Sequence, residues 1–475
     1  MNYQDTLYYL FNSLPMFQRV GASAFRKDLR STLLLCNHLG NPERKFKSIH
    51  VAGTNGKGSS SHSLAAIFQS AGYKTGLYTS PHLKSFTERI RINGLEIAPE
   101  VVVQFVDENK SFLDELKPSF FEMTVGMAFW HFAQQKVDIA IIEVGMGGNF
   151  DSTNVITPEL SLITNIGYDH MQFLGDTLPL IAGEKAGIIK NNVPVVISET
   201  HQETKAVFLK KAKEMNAAIT FADENWKAVK LSEVDGKTNY RIVSSNSDAF
   251  LSVRTQTEVE DNEHGMWSVR MQTRDGDELN SAVRTQTKEW DSRGAFDLIF
   301  GLNGNYQQYN LPGILEAVVQ MREQGWKLSN DAIQDGLKNV TELTGLKGRW
   351  QTLSTNPLVI CDTGHNEAGF REILSQLETY TFAKLWLVIG MVQDKDISKV
   401  LSMLPKSANY VFCEAKLPRA LPADQLAAKA LSSGLKGEVI SDVNEALAYA
   451  RKNASDDDLI FVGGSTFVVA EIEEL

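Results

Sequence analysis

The sequence predicts an α/β protein with two parallel-sheet domains and a polar β insertion in the first of them. The 475 residues of the chain are enough for two or three domains, at roughly 100–200 residues each. Short, continuously apolar runs alternate with helical stretches in both halves of the chain, a pattern typical of parallel strands buried on both faces. One polar segment lies between the two halves and breaks this alternation.

The first half of the chain predicts a doubly wound parallel sheet, in which helices cover both faces. A Ser- and Ala-rich helical segment follows the first apolar run and extends to Ala71. The runs that predict strands are SIHVAG (48–53), TGLYTS (75–80), VDIAIIEVG (137–145), LSLITNIG (160–167) and VPVVISE (193–199).

Residues from about 240 to 296 predict an antiparallel β-meander inserted in the first domain. Three near-copies of one hexapeptide alternate residue by residue, as strands do, and turn residues such as Asp275-Gly276 separate them. The copies are SVRTQT (252–257), SVRMQT (268–273) and AVRTQT (282–287). We interpret their arginines as part of a solvated strand face, and an anion-binding site is the alternative.

A second series of apolar runs predicts a smaller, Rossmann-like α/β domain. The runs are NPLVICDTG (356–364), KLWLVIGMV (384–392), ANYVFCEA (408–415), EVIS (438–441) and DDLIFVGGS (457–465). We therefore expect a first domain over residues 1–344 and a C-terminal domain over residues 345–475. A cleft between two such domains is the expected place for chemistry.

Composition excludes several classes of protein. With 43% hydrophobic and 22% charged residues, the chain is neither disordered nor fibrous. A net charge of −11 argues against a surface made for nucleic acid or anionic membranes. The three cysteines form no disulfide framework, and no apolar run approaches the roughly 20 residues that span a bilayer. Because a signal-peptide pattern is also missing, we expect a cytoplasmic protein without nucleic-acid or membrane partners.

The segment VAGTNGKGS (51–59) predicts a phosphate-binding loop. An apolar run enters a glycine-rich loop that contains Lys57, and a helix follows, so that backbone N–H groups at the helix N-terminus can cradle phosphates. The strict pattern GxxxxGK[ST] is not met, because Val51 replaces the first glycine and Gly58 precedes Ser59. A P-loop-type domain is therefore the prediction, and a generic glycine-rich turn is the alternative.

Further polar groups follow the neighbouring strands. Glu143 ends a buried run, and a carboxylate at that position points into the crevice where ligands bind. Beside a phosphate loop it would hold Mg²⁺, directly or through water; the alternative is an acid satisfied by the amides of the glycines that follow it. Asp169-His170 and Lys185 extend the same polar edge.

A series of motifs runs through most of the chain. They are GTNGKGS (53–59), TSPHL (79–83), ERIRING (88–94), EVGMGG (143–148), DH (169–170), EKAGI (184–188), GRWQ (348–351), DTGHNEAG (362–369) and GGSTFVVAEI (463–472). In this order they resemble the folylpolyglutamate synthase/dihydrofolate synthase branch of the Mur ligase superfamily. The resemblance implies an ATP-dependent ligase that adds L-glutamate to dihydropteroate, to folate polyglutamates or to both. An acyl phosphate is the implied intermediate, and ADP and phosphate are released.

The same resemblance assigns roles to individual positions. The implied ATP contacts are Thr54, Asn55, Gly56, Lys57, Gly58, Ser59, Asn310, Arg349 and Asp362. The implied ligands of two Mg²⁺ ions are Ser80, Glu143, His170 and Lys185, the last as a carbamate formed with CO₂. The positions implied in catalysis are Lys57, His170, Lys185 and His365. Those implied in holding the folate substrate are Phe120, Phe121, Glu122, Phe150, Asp151 and Ser152.

Two departures from the family pattern and three alternatives stay open. Asn149 stands where the family commonly has arginine, which removes a fixed positive charge near the substrate carboxylate, and Tyr306 stands where it commonly has histidine. The alternatives are a Mur-type ligase acting on a UDP-linked peptidoglycan precursor, a P-loop NTPase or kinase without an amine acceptor, and a non-catalytic nucleotide-binding module. We expect a monomer; the preferred folate form and glutamate chain length stay open.

Overall fold

The structure is a computed structural model that describes residues 1–14, 28–234, 236–245, 294–393 and 397–475. The three hexapeptide repeats fall outside these ranges, so their arrangement as a meander stays a prediction. Within the ranges, the chain is α/β throughout, and the predicted fold class is confirmed.

The first part of the chain forms an eight-stranded, mainly parallel sheet within the described residues, with the order β4-β3-β2-β5-β1-β6-β7-β8. Strands β3 and β4 form an antiparallel edge, and the other pairs are parallel. The strands are β1 (Lys47–Ala52), β2 (Thr75–Tyr78), β3 (Ile90–Ile92), β4 (Leu95–Glu96), β5 (Ile139–Glu143), β6 (Leu160–Ile163), β7 (Val195–Ile197) and β8 (Ile219–Phe221).

Two further sheets follow in the chain. The first is antiparallel, with β9 (Trp226–Val234), β10 (Lys237–Ser244) and β11 (Ala295–Phe300) in the described residues. The other has the order β12-β13-β17-β14-β15-β16, with β12 antiparallel and the other pairs parallel. Its strands are β12 (Gln351–Thr355), β13 (Leu358–Cys361), β14 (Leu385–Ile389), β15 (Asn409–Phe412), β16 (Gly437–Val439) and β17 (Leu459–Gly463).

Helices connect most of these strands. Those of the first part are α1 (Tyr3–Ser13), α2 (Arg30–His38), α3 (Lys57–Ser70), α4 (Pro99–Leu116), α5 (Phe120–Gln135), α6 (Met171–Leu174), α7 (Leu178–Lys185), α8 (Gln202–Glu214), α9 (Ala222–Asn225), α10 (Gln307–Glu323), α11 (Asn330–Lys338) and α12 (Val340–Thr344). Those after residue 350 are α13 (Glu367–Leu377), α14 (Ser398–Met403), α15 (Ala423–Ser432), α16 (Val443–Asn453) and α17 (Thr466–Glu471). In the ranges that the structure describes, no helix combines the length and apolarity of a membrane span.

Both faces of the large sheet are buried, as a doubly wound fold requires. Ile139 and Ile141 of β5 pack in one apolar cluster with α3, α10 and α11. Ala140 and Ile142 of the same strand pack in a second cluster with α4 and α5. Successive side chains of a strand point to opposite faces, so a continuously apolar strand is what this arrangement needs. The sequence shows such a strand here.

The phosphate-loop helix α3 is fixed by a close contact with α11. A Cβ atom added to Gly336 of α11 would lie 2.6 Å from Cα of Ile67 in α3. This distance is too short for a side chain, so the two helices meet backbone to backbone at this point. The contact sets the position of α3 and therefore of the loop that precedes it.

We predict that Gly336→Ala lowers the free energy of unfolding by about 1–3 kcal/mol, because the added methyl group overpacks this contact. Urea unfolding followed by circular dichroism measures the change. Gly183→Ala in α7 is the matched control, since no atom lies within 4 Å of the added Cβ. It should leave stability unchanged or raise it by roughly 0.5–1 kcal/mol. Equal effects of the two substitutions would contradict the prediction.

Candidate active site

The loop between β1 and α3 has the geometry of a phosphate-binding loop. Gly56 lies just before α3 with a φ of 83°, in the left-handed region that favours glycine. A Cβ atom at this residue would come 2.1 Å from Oδ1 of Asn310, so a side chain here would collide with α10. The first turn of α3, beginning at Lys57, therefore presents its backbone N–H groups beside the glycine-rich loop.

A cavity of about 430 Å³ opens at this loop. Residues before and after position 345 line it, so it lies where the large sheet and the C-terminal sheet meet. The predicted site residues in its lining are Thr54, Asn55, Gly56, Lys57, Gly58, Ser59, Ser80, Glu143, Asn310, Arg349, Asp362 and His365. These residues are therefore brought together around one space.

Two lysine side chains converge on one backbone carbonyl. Nζ of Lys57 donates hydrogen bonds to the carbonyl oxygens of Gly53 and Thr54, both at 3.0 Å. Nζ of Lys185 donates to the same Gly53 oxygen at 2.8 Å. Burial lowers the pKa of both ammonium groups, and the charge of Lys57 adds to the effect at Lys185, whose pKa falls to about 7. Burial therefore favours the neutral amine at both lysines, and the charge of Lys57 favours it further at Lys185.

Glu143 is buried at the end of β5, and its Oε2 accepts a hydrogen bond from the N–H of Ser80 at 3.2 Å. Burial raises the pKa of its carboxyl group, and the nearby charges of Lys57 and Arg349 oppose this shift. An atom added as Cβ at Gly58 would lie 3.9 Å from Oε1 of Glu143 and 3.3 Å from Nη2 of Arg349. The carboxylate and the guanidinium therefore approach the loop at the same residue.

These side chains fit Mg²⁺ that arrives with phosphates. Among the described residues, no group of three or more His, Cys, Asp or Glu side chains is arranged to hold a metal by itself. Mg²⁺ commonly binds through one or two carboxylates, several waters and the phosphates of a nucleotide. The buried carboxylate of Glu143 beside the hydroxyl-bearing Ser80 meets that requirement.

Two histidines flank the carboxylate of Asp169, and of these three residues only His365 lines the cavity. Nε2 of His365 lies 3.4 Å from Oδ2 of Asp169, and Nε2 of His170 lies 3.9 Å from the same oxygen. His365 belongs to the C-terminal part of the chain, whereas Asp169 and His170 follow β6. The structure thus brings together two histidines that the sequence placed in different domains.

Asn55 and Asn366 join the phosphate loop to the C-terminal part. Nδ2 of Asn366 donates to Oδ1 of Asn55 at 2.9 Å, and Nδ2 of Asn55 donates back to Oδ1 of Asn366 at 3.3 Å. The same Asn366 oxygen caps α13 by accepting from the N–H of Gly369. On the other side, Oδ1 of Asn165 accepts from the N–H of Asn55. The loop is therefore held from both halves.

Asn165 was missed as a candidate site residue, and the contact of Asn366 with the phosphate loop was not predicted. For Asn165 a signal existed, because it follows the apolar run of β6 as Glu143 follows that of β5. For Asn366 the pattern that a capping residue makes before a helix was readable, but its bond to the phosphate loop was not.

The residues implied in folate binding lie outside the cavity lining. Phe120 is buried and stacks on Phe11, with ring centroids 5.4 Å apart, and Cζ of Arg89 lies 5.2 Å from its ring centroid. Oε2 of Glu122 accepts from the N–H of Ser119 at 2.6 Å in a capping box at the start of α5. The Glu122 carboxylate is therefore used in capping the N-terminus of its own helix.

The segment after Glu143 is held by hydrogen bonds within the segment, and Asp151 accepts them. Oδ2 of Asp151 accepts from the N–H of Met146 at 2.9 Å and Oδ1 accepts from the N–H of Thr153 at 3.0 Å. The side chain of Ser152 is buried and that of Phe150 is half-buried. The roles of these residues and of Phe121, whose ring packs on Gly145, stay predictions.

Comparisons with known proteins agree with this geometry. The profile of the Mur ligase middle domain matches residues 51–260, and that of the Mur ligase glutamate ligase domain matches residues 348–466. The folylpolyglutamate synthase of Lacticaseibacillus casei is 31% identical over 484 residues, covering 100% of this chain and 98% of that protein. A probable bifunctional folylpolyglutamate synthase/dihydropteroate synthase of Haloferax volcanii is 28% identical, and the chain spans 50% of its length.

Solved structures are similar along the whole chain. Escherichia coli FolC in complex with DHPP and ADP has a TM-score of 0.78 and 25% identity, covering 99% of this chain and 96% of that one. The Mycobacterium tuberculosis folylpolyglutamate synthase complexed with ADP and AMPPCP has a TM-score of 0.80 and 26% identity, covering 99% and 98%. Together with the full-length match to the L. casei enzyme, these similarities show that the chain belongs to the folylpolyglutamate synthase/dihydrofolate synthase family of ATP-dependent Mur ligases.

Proposed function

We propose that this chain joins L-glutamate to a folate-type carboxylate, either dihydropteroate or a folate that already carries glutamate, with conversion of ATP to ADP and phosphate. One cavity brings Lys57 and Glu143 from the first part of the chain together with Arg349 from the C-terminal part, and this observation carries the proposal. A P-loop kinase would need no second α/β half at this place. The family membership supports the ligase.

The proposed reaction has two steps. The folate carboxylate attacks the γ-phosphorus of ATP, ADP leaves, and an acyl phosphate forms. The amine of L-glutamate then attacks the acyl carbon, phosphate leaves, and the amine loses a proton. Such chemistry depends on positioning and on neutralising charge rather than on a strong acid or base.

Residues that line the cavity, together with His170 and Lys185 outside its lining, would divide this work. The backbone N–H groups of the phosphate loop and the ammonium of Lys57 bind the β- and γ-phosphates, and the guanidinium of Arg349 approaches them from the C-terminal side. Ser80 and Glu143 would hold one Mg²⁺, and His170 with Lys185 a second; bound Mg²⁺ would neutralise negative charge on the phosphates. His365, whose Nε2 lies 3.4 Å from Oδ2 of Asp169, would lie near the phosphoryl group that is transferred.

For the folate, we propose the aromatic region around Phe120 and Phe121. The rings of Phe11, Phe86 and Phe120 lie within 6.5 Å of one another, and flat aromatic faces suit a pterin ring. In support, the similar E. coli FolC structure carries DHPP together with ADP.

We also propose that Lys185 is carbamylated. Its neutral amine would attack CO₂, form an N–C bond and release one proton, which converts an ammonium into an anionic metal ligand. A pKa of about 7 leaves much of the amine neutral at slightly alkaline pH. An anion here would remove the repulsion between Lys185 and Lys57 that the pKa shift reflects.

We predict that Lys57→Ala lowers ligase turnover at least about 100-fold, since a cation at the transferred phosphate is lost. Incorporation of labelled glutamate measures turnover, with dihydropteroate, tetrahydrofolate and a UDP-muramoyl peptide compared as acceptors. Lys213→Ala, on the exposed face of α8, is the matched control and should retain wild-type activity. Near-normal turnover in Lys57→Ala would overturn the assignment of the loop, and incorporation with the UDP-peptide alone would overturn the folate substrate.

For Lys185 we predict a carbamate signal in ¹³C NMR spectra of protein equilibrated with ¹³C-bicarbonate. Below pH 7 the ammonium form dominates and the signal should weaken, whereas it should grow from pH 7 to pH 8 as the amine loses its proton. Lys185→Arg keeps a cation and should show no signal. In the activity assay, a short-chain carboxylate should partly rescue Lys185→Ala. A spectrum without any lysine-185-dependent signal at pH 8 would contradict carbamylation.

A further inference from the structure

Tyr306 connects the two halves of the chain at the cavity. It lies at the start of α10, and its hydroxyl donates a hydrogen bond to Oδ2 of Asp362, at the end of β13, with a distance of 2.7 Å. A Cβ atom at Gly304 would lie 2.5 Å from Cζ of the Tyr306 ring. The ring therefore occupies the space that a side chain at position 304 would need, and packing directs its hydroxyl to Asp362.

The carboxylate of Asp362 also fixes the backbone next to Arg349. Its Oδ2 accepts from the N–H of Trp350 at 2.8 Å, and its Oδ1 accepts from the N–H of Gly364 at 2.7 Å. Trp350 has a φ of 47°, a left-handed conformation that a bulky residue rarely adopts without support. With the Tyr306 hydroxyl, three of the roughly four acceptor positions of this carboxylate are filled. Asp362 thus holds the strained backbone of Trp350, the residue directly after Arg349.

The first turn of α10 also touches the phosphate loop. Nε2 of Gln307 donates to Oγ of Ser59 at 3.2 Å, and Nδ2 of Asn310 donates to Oε1 of Gln307 at 2.7 Å. Oδ1 of Asn310 faces Gly56. A continuous set of contacts therefore runs from the loop through α10 to Tyr306 and from there to the C-terminal half.

We propose that Tyr306 is a positioning residue, which acts through Asp362 and Trp350 to place the Arg349 guanidinium at the γ-phosphate when the loop holds a nucleotide. This inference rests on the proposed function. A hydrogen bond to a buried carboxylate is charge-assisted and among the stronger ones in proteins. Arg349 makes its own bonds to Thr363 and to the carbonyl of Gly348, so its direction depends on the backbone that Asp362 fixes.

Tyr306→Phe tests the inference, because it keeps the ring and removes the hydroxyl. We expect kcat to fall roughly tenfold or more, as for the loss of one hydrogen bond to a charged group, with ADP affinity unchanged because the loop contacts remain. Tyr306→His is a second variant that removes the bond, because an imidazole N–H ends short of the position that the phenol hydroxyl occupies, and kcat should fall similarly. Tyr240→Phe is the control: its buried hydroxyl has no hydrogen-bond partner among the described residues, so kcat should not change.

A double-mutant cycle tests the route through Asp362. In an Asp362→Asn background, Tyr306→Phe should have little further effect on kcat, since the charge-assisted bond is already lost. Thermal unfolding checks that each variant is folded, and Tyr306→His takes the place of a Phe variant that does not fold. Wild-type kcat in Tyr306→Phe, or losses that simply add in the cycle, would overturn the inference.

A binding measurement separates this inference from the proposed function. Calorimetry measures the affinity of the protein for a non-hydrolysable ATP analogue and for ADP. The ratio of the first affinity to the second reports on the contact with the γ-phosphate. Tyr306→Phe should lower that ratio as Arg349→Ala does, whereas Tyr240→Phe should not. A wild-type protein that incorporates no glutamate would defeat the proposed function and leave this ratio readable. An unchanged ratio in Tyr306→Phe would defeat the role of Tyr306 alone.

Discussion

The parallel pairing of β1 with β5 on one side and β6 on the other is the constraint on which the site depends. The register places Val51 beside Glu143 and Ala52 beside Ile163. Because the three strands end at the same edge of the sheet, the phosphate loop, the Glu143 carboxylate and Asn165 become neighbours. The apolar clusters on both faces hold that register, since a slip would move a charged group into the core.

The charges at this edge are poised for an anionic ligand. Burial lowers the pKa values of Lys57 and Lys185 and raises that of Glu143, and the opposite charges only partly offset these shifts. Two lysines share the carbonyl of Gly53, where a phosphate oxygen would be a stronger acceptor for either. The net charge of −11 does not reveal the cationic side chains of Lys57 and Arg349 that lie beside the loop.

Sequence predicted what local pattern encodes. Continuously apolar runs marked the parallel strands, and a glycine-rich turn between run and helix marked the phosphate loop, because both follow from backbone geometry. Asn55 and Asn366, which form a hydrogen bond, are 311 positions apart in the sequence. Tyr306 and Asp362, which form another, are 56 positions apart. Such pairs depend on how the two halves of the chain pack together. The sequence carries no periodic pattern that predicts which amide or phenol side chains will meet. The three hexapeptide repeats of the predicted meander lie outside the described ranges, so their arrangement stays a prediction.

Several of the contacts that join the two halves near the cavity are hydrogen bonds. Asn55–Asn366, Tyr306–Asp362 and the bond from the N–H of Asn305 to Oε1 of Gln376 are all polar, and water can replace each partner at modest net cost. Interfaces of this sort permit relative domain motion. A ligase that makes an acyl phosphate must keep water from it. In the proposed reaction the cations Lys57 and Arg349 come from different halves of the chain, so the site is complete only when those halves are together.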